Sequence, residues 1–321
     1  MQKYRHHSNR EYVAPDIKVF TNNEEETPGL LSFLEKTMTD KSRTDLKSYL
    51  KHRQIRVNGQ ITTSFNYPVK PGAKVEINVK GGFVELRHPR LGMVYEDDHI
   101  IVVNKGYGLL SVGTNSKKKE TSAYDIVRDY VKREDPRNKL YVVHRLDRDT
   151  SGLMMFAKSE EAQEILRHNW NNFVIERLYA ALVEGYVKED SGYVKSNLAE
   201  NSKYYVYSVD DPDEGKLAVT HFYVRKRGKG LSLVEFSLDT GRKNQIRVHA
   251  KEMGHPISGD RKYGATKSPL GRLCLHARTL RFAHPITRKD MNFELPMPER
   301  FLKAVGGAGV SKKDNPEKTE N

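Results

Sequence analysis

The apolar positions of the chain change period along its length, and the changes mark its elements. From Leu30 the spacing is helical. Leu30, Phe33, Leu34 and Met38 fall near one face, and Leu46, Tyr49 and Leu50 form a second short stripe that Ser42 or Thr44 can cap. Residues 55–61, Ile-Arg-Val-Asn-Gly-Gln-Ile, read as strand, Asn-Gly turn, strand. Pro71-Gly72 marks another turn before the alternating Val75-Glu76-Ile77-Asn78-Val79. Two short helices with a few strands predict a compact module over 29–85, preceded by a polar arm over 1–28 that is too poor in apolar residues to order fully.

A polar link over 83–90 leads to a larger region, 90–300. It opens with two strands around an acidic turn in 93–105 and continues with a long basic loop, 106–120, that contains Lys117-Lys118-Lys119. Ala123, Ile126, Val127, Tyr130 and Val131 form a helical stripe. Ala162, Ile165 and Leu166 form another, with Ser159 as N-cap and Glu160-Glu161 in the first turn. Residues 219–224 and 231–238 read as strands. Ile246, Ala250 and Met253 give a last helix closed by Gly254, and 301–321 reads as a polar tail. Many strands with scattered helices and no internal repeat predict an α+β fold.

Charge narrows the partners. Lys plus Arg number 55 against 42 Asp plus Glu, a net charge of +13, which favours polyanions and nucleic acid above all. The row Arg43, Lys47, Lys51 sharpens this: like charges four apart destabilise an isolated helix and sit better against a polyanion, although a solvated basic face has the same pattern. The single cysteine, Cys274, excludes an internal disulfide framework and a Cys-based zinc cluster, and suits a reducing cytoplasm. No apolar leader or membrane-length run is expected. His249, His255, His276 and His284 lack ligand spacing, so no metal site is expected.

The candidate chemistry sits in residues 143–158. Val-His-Arg-Leu-Asp-Arg-Asp-Thr-Ser-Gly runs into Leu-Met-Met-Phe-Ala-Lys, which places a carboxylate, Asp147, between Arg145 and Arg148 on a polar segment flanked by strand-like runs. Such an acid either pins a loop or does chemistry, and spacing alone does not decide. On an extended segment Arg145 lies on the same face as Asp147 and favours its charged form. An ionised carboxylate can act as a nucleophile at an anomeric carbon or an electrophilic ring carbon. Asp149 reads as a loop-pinning acid.

This string resembles the H-R-L-D-x-x-T-S-G signature of RNA pseudouridine synthases of the RluA/RluD type. Residues 177–185, Arg-Leu-Tyr-Ala-Ala-Leu-Val-Glu-Gly, look like that family's second motif. Residues 239–249, Asp-Thr-Gly-Arg-Lys-Asn-Gln-Ile-Arg-Val-His, look like its third, with Lys243-Asn244 where Thr-His is usual. Residues 254–264 and 273–277 also match, so the resemblance spans about 30–298. It implies an α+β architecture in which a small module precedes a mixed, mainly antiparallel synthase domain with a cleft. It also implies catalysis by Asp147, Tyr179 and Arg247. Tyr179 would stack on the base, since a phenol of pKa about 10 is a poor base. Arg247 would pair with Asp147 while Arg242 meets phosphate, with a swap of those two left open. The departure at Lys243-Asn244 touches substrate contacts more than activity.

The first module resembles an S4 RNA-binding domain through Ser42-Arg43-Thr44, Arg56-Val57-Asn58-Gly59 and Lys70-Pro71-Gly72. The resemblance places RNA contacts on Arg43, Lys47, Lys51 and Arg53, joined by His144, Arg145 and Arg242 in the larger domain. The implied reaction turns uridine into pseudouridine in structured RNA, with large-subunit ribosomal RNA expected and transfer RNA the alternative. It needs no cofactor and is expected of a monomer. A non-catalytic RNA-binding or ribosome-assembly protein is the competing reading, and the three intact motifs argue against it. A kinase loop fails for want of its glycine-rich strand pair. A glycosidase on free sugars fails because it needs a second, raised-pKa acid.

Overall fold

The computed structural model describes residues 16–113 and 120–306, and Lys117-Lys118-Lys119 lie outside them. The chain divides into two compact units, residues 16–86 with Val127–Lys139, and Arg87–Ile126 with residues 140–306.

In the first unit β1 (Ile17–Thr21), β2 (Ile55–Val57), β3 (Gln60–Ile61) and β4 (Lys74–Asn78) make an antiparallel sheet in the order β1-β4-β2-β3. Helices α1 (Leu30–Thr37) and α2 (Arg43–Lys51) bury Leu30, Leu34, Leu46 and Leu50 completely, in one cluster with Ile55, Val75 and Ile77. Ser42, not Thr44, caps α2. Its Oγ accepts from Asp45 N at 3.2 Å while the Asp45 carboxylate accepts from Ser42 N at 3.1 Å, a reciprocal cap that contributes about 1 kcal/mol. Asn58 and Gly59 both take positive φ, 49° and 79°, the turn that matches the twist of paired strands. The expected polar arm is shorter than 1–28, because Ile17–Thr21 pair along the whole of β4. Backbone hydrogen bonding, which needs no apolar side chains, recruits that segment.

Among the described residues the second unit holds eleven strands: β5 (Leu91–Glu96), β6 (Ile100–Lys105), β7 (Tyr141–Val142), β8 (Ser151–Ala157), β9 (Val174–Glu184), β10 (Ser191–Glu200), β11 (Val206–Val209), β12 (Lys216–Gly228), β13 (Leu231–Leu238), β14 (Leu275–Ala283) and β15 (Asp290–Glu294). They form one sheet in the order β11-β10-β12-β13-β9-β14-β8-β6-β5, with β15 on β14 and β7 on β8. Every pairing is antiparallel except β14 with β8. Helix α3 (Ala123–Glu134) is divided between the two units, and α4 (Glu160–His168), α5 (Trp170–Phe173), α6 (Gln245–Glu252) and α7 (Glu299–Ala304) follow. Ser159 caps α4 through Ala162 N, as its position suggests.

All seven residues of β8 are buried, which explains its unbroken apolar run. Ile246 and Ala250 of α6 join Phe301 and Leu302 of α7 in the main core. The tail therefore does not begin at 301: Phe301, 2% exposed, and Val305 are core residues that a short amphipathic turn carries inward.

Candidate active site

Asp147 lies in the loop between β7 and β8, with its side chain 32% exposed. The loop is gripped on both sides. Before the aspartate, Ser111 Oγ donates to Leu146 O at 2.6 Å and accepts from Leu146 N at 3.0 Å. After it, the fully buried Lys105 donates from Nζ to Arg148 O at 3.0 Å and to Leu109 O at 2.8 Å. Thr150 N closes the turn on Asp147 O at 3.2 Å. Such anchors fix a carboxylate while leaving it open to a ligand.

The strand that leaves this loop sets its position in the sheet. Gly152 opposes Ala277 of β14, and Tyr179 of β9 opposes the same residue from the other side. A Cβ on Gly152, at φ +117°, would stand 2.1 Å from Ala277 O, so only glycine allows β8 to come this close to β14. One register row thus relates the Asp147 loop to Tyr179.

Arg247 supplies the counter-charge from α6. Its Nη1 donates to Asp147 Oδ2 at 3.2 Å and to Asn244 Oδ1 at 3.0 Å. Its Nε and Nη2 donate to the two oxygens of buried Asp260 at 2.6 and 2.8 Å, a bidentate pair that sets the plane of the guanidinium. Tyr263 lies 4.8 Å beneath it and receives a hydrogen bond from Asn244. Burial works against this charge, but the hydrogen bonds and charge of Asp260, with Asp147 added, raise its pKa above the ordinary guanidinium value. Burial likewise raises the pKa of the Tyr179 phenol; Arg177 opposes this and Asp147 adds to it, so the phenol stays protonated.

The other residues singled out in the sequence separate into two groups. Arg242 is exposed, spends Nε on Leu217 O at 2.9 Å and does not pair with Asp147. Arg145 is exposed and makes no ion pair with Asp147 among the described residues, because 143–147 is not a regular strand and the two-residue face rule does not hold there. His144 is tied to the strand that follows the loop. Its Nε2 accepts from Met155 N at 2.9 Å and its ring lies 4.9 Å from Trp170. Burial, with Arg177 nearby, pushes its pKa down to about 3, which leaves the ring neutral. In the first unit Arg43 pairs with Glu35 at 2.9 Å and Arg53 with Glu85 at 2.6 Å, while Lys47 lies 5.9 Å from the Phe65 ring. Exposed pairs of this kind contribute little and exchange readily for phosphate.

Lys105, Ser111 and Asp260 also belong to the site, though no local pattern assigns them a role there. A lysine just past the apolar run of 100–103 was one signal, and the match over 254–264 includes Asp260. A charge at the end of a buried strand either reaches water or is spoken for inside.

Together these groups present a half-open carboxylate, a positioned arginine and a neutral phenol. That set suits nucleophilic attack followed by rearrangement. The RNA pseudouridylate synthase family matches residues 99–252, a span that holds Asp147, Tyr179, Arg242 and Arg247. The chain is 35% identical over 295 residues to the uncharacterized RNA pseudouridine synthase YlyB of Bacillus subtilis (strain 168), covering 90% of this chain and 97% of that one. It is 32% identical over 290 residues to ribosomal large subunit pseudouridine synthase D of Pasteurella multocida (strain Pm70), covering 85% and 88%. The solved structure of human RNA pseudouridylate synthase domain containing 1 shares the fold, with a TM-score of 0.56 at 22% identity over 71% of this chain and 92% of that one. Related over nearly its whole length, the chain belongs to the RNA pseudouridine synthases of the RluA/RluD type.

Proposed function

We propose that this enzyme isomerises specific uridines of structured large-subunit ribosomal RNA, with Asp147 as the nucleophile. The observation that carries the reading is the Asp147–Arg247 pair at 3.2 Å, in a loop held at Leu146 and Arg148. The names of relatives, ribosomal large subunit pseudouridine synthases D and C, support the choice of RNA. In the reaction the C1′–N1 bond breaks and a C1′–C5 bond forms. The hydrogen at C5 leaves as a proton and N1 ends with one, so atoms and electrons balance without a redox partner.

A stacked uridine cannot reach a carboxylate in a cleft, so the enzyme must flip it out at a cost of a few kcal/mol. Tyr179 offers a ring for the extruded base. Residues 29–85 act as an S4-type module whose Arg43, Lys47, Lys51 and Arg53 contact phosphates, and Arg145 and Arg242 add contacts beside the site. Such contacts position RNA without reading its sequence and offset the cost of flipping.

Tritium release from C5-labelled uridine tests both parts. Wild type should release tritium from large-subunit ribosomal RNA, and Asp147→Ala should release none while still binding. Release from transfer RNA alone would overturn the choice of RNA. Undiminished release by Asp147→Ala would overturn the nucleophile.

A further inference from the structure

A cavity of about 340 Å³ lies beside the paired Asp147 and Arg247, and Arg247 is part of its wall. Tyr107, Asp149, Asp260, Arg261, Lys262 and Arg272 complete its polar lining. This volume is at the lower end of the range for small-molecule pockets, about 300–1,000 Å³.

Arg272 is built into the wall. Its Nε donates to Leu273 O at 2.9 Å, and its Nη2 donates to Ser151 Oγ at 2.7 Å and to Leu275 O at 3.3 Å. Its Nη1 has no acceptor among the described residues. A guanidinium fixed at two nitrogens and open at the third is a donor that needs no ordering on binding. Arg272 also lies 4.5 Å from the centre of the Tyr107 ring, and that tyrosine is 51% exposed. Arg261 is exposed and unpaired among the described residues, while Lys262 spends its Nζ on Tyr204 O at 2.8 Å. Both oxygens of Asp260 are taken by Arg247. What faces an occupant is therefore cationic donors, one aromatic ring and one carboxylate acceptor, Asp149.

A bare phosphate would suit the cations but would meet Asp149 unfavourably. A nucleotide unit within RNA offers something to every group: a phosphodiester for Arg272 and Arg261, a base face for Tyr107, and a ribose hydroxyl or base N–H for Asp149. We propose that this cavity is a second RNA subsite, taking the nucleotide next to the flipped uridine. The inference rests on RNA being the substrate, but not on which RNA. It gives Asp149 and Tyr107 a role in holding the strand while Asp147 acts one nucleotide away.

Fluorescence anisotropy of the full-length chain tests this with a labelled single-stranded RNA of about twelve nucleotides, within the usual range of site sizes, that carries one uridine. Tyr107→Ala and Arg261→Gln, both exposed changes, should each weaken binding about tenfold with unchanged Tm. A neutral methylphosphonate at the linkage flanking the uridine should weaken wild type to a similar degree and weaken Arg261→Gln no further. Equal losses in wild type and Arg261→Gln would overturn the phosphate contact. Undiminished binding by Tyr107→Ala, with the linkage effect present, would leave an anion site only and overturn the nucleotide subsite. Because the readout is binding to a defined probe, failure of turnover on large-subunit RNA would sink the choice of substrate and leave this test standing.

Discussion

Lys105 Nζ stands 3.0 Å from the carbonyl oxygen of Arg148, so the turn that follows Asp147 hangs from a cation with no exposure to solvent. Burial pushes the pKa of that lysine down to about 8; Asp149 and Asp147 oppose the shift, and Arg272 adds to it. Ser111 holds the residue on the other side of the aspartate.

Lys105→Met and Ser111→Ala should each lower kcat by about 100-fold with little change in KM, since a displacement of about 1 Å in a reacting group carries a loss of that size. Steady-state tritium release separates the two parameters. An unchanged kcat in a folded Lys105→Met variant would show that the loop keeps its shape without this anchor.

Asp260→Asn should disturb Arg247 more than a surface substitution would. It leaves a buried guanidinium without its bidentate partner, a class of change that destabilises by about 3 kcal/mol or more. Arg247→Lys keeps a charge but not the fork. It should fall well below wild type in kcat while RNA affinity stays near wild type. Denaturant melts and kinetics of both variants check this, and wild-type turnover by Arg247→Lys would mean that charge alone suffices.

Acid should destabilise the protein through His144 and His276. Burial, aided by nearby arginines, pushes their pKa values down to about 3 and about 4. The unfolded chain takes up protons on these rings near pH 6.5, so between 6.5 and 4 it binds more protons than the folded state. Stability is therefore complete above that range and falls as pH drops, by about 2 kcal/mol per histidine at pH 5. His144→Gln should flatten the fall measured by urea melts at pH 7.5 and 5. Equal wild-type stability at both values would contradict the neutral, buried assignment.

Lys47→Glu and Lys51→Glu should weaken RNA binding without unfolding the first unit, as both side chains leave its apolar cluster untouched. If these lysines meet phosphate, the slope of log affinity against log salt should become shallower by about one for each phosphate no longer neutralised. A lower affinity with an unchanged slope would place them outside the interface.

Much of this fold could be read where partners lie close in sequence. Ser42 with Asp45, Asn58-Gly59 and Ser159 follow from local turn and cap chemistry. Asp147 stood out because its signature is one continuous string. Lys105 did not, since its acceptors are backbone carbonyls and carry no residue identity. The partner of His144 was hidden for a related reason: it is the amide of Met155 on the next strand. Strand β1 and helix α7 were hidden because a few residues each, paired or packed on distant elements, left too short a pattern.

The sheet order carries a consequence for how the protein is made. Strands β8 and β9 are neighbours in sequence, yet β14, translated much later, lies between them. During synthesis the strand that follows the Asp147 loop and the Tyr179 strand have no mutual edge to close on. The place between them stays open until Leu275–Ala283 leaves the ribosome. Long-range pairing of this kind is slow and comes late. A chain released before Leu275 would carry Asp147, Tyr179 and Arg247 but lack the strand that fits between Gly152 and Tyr179.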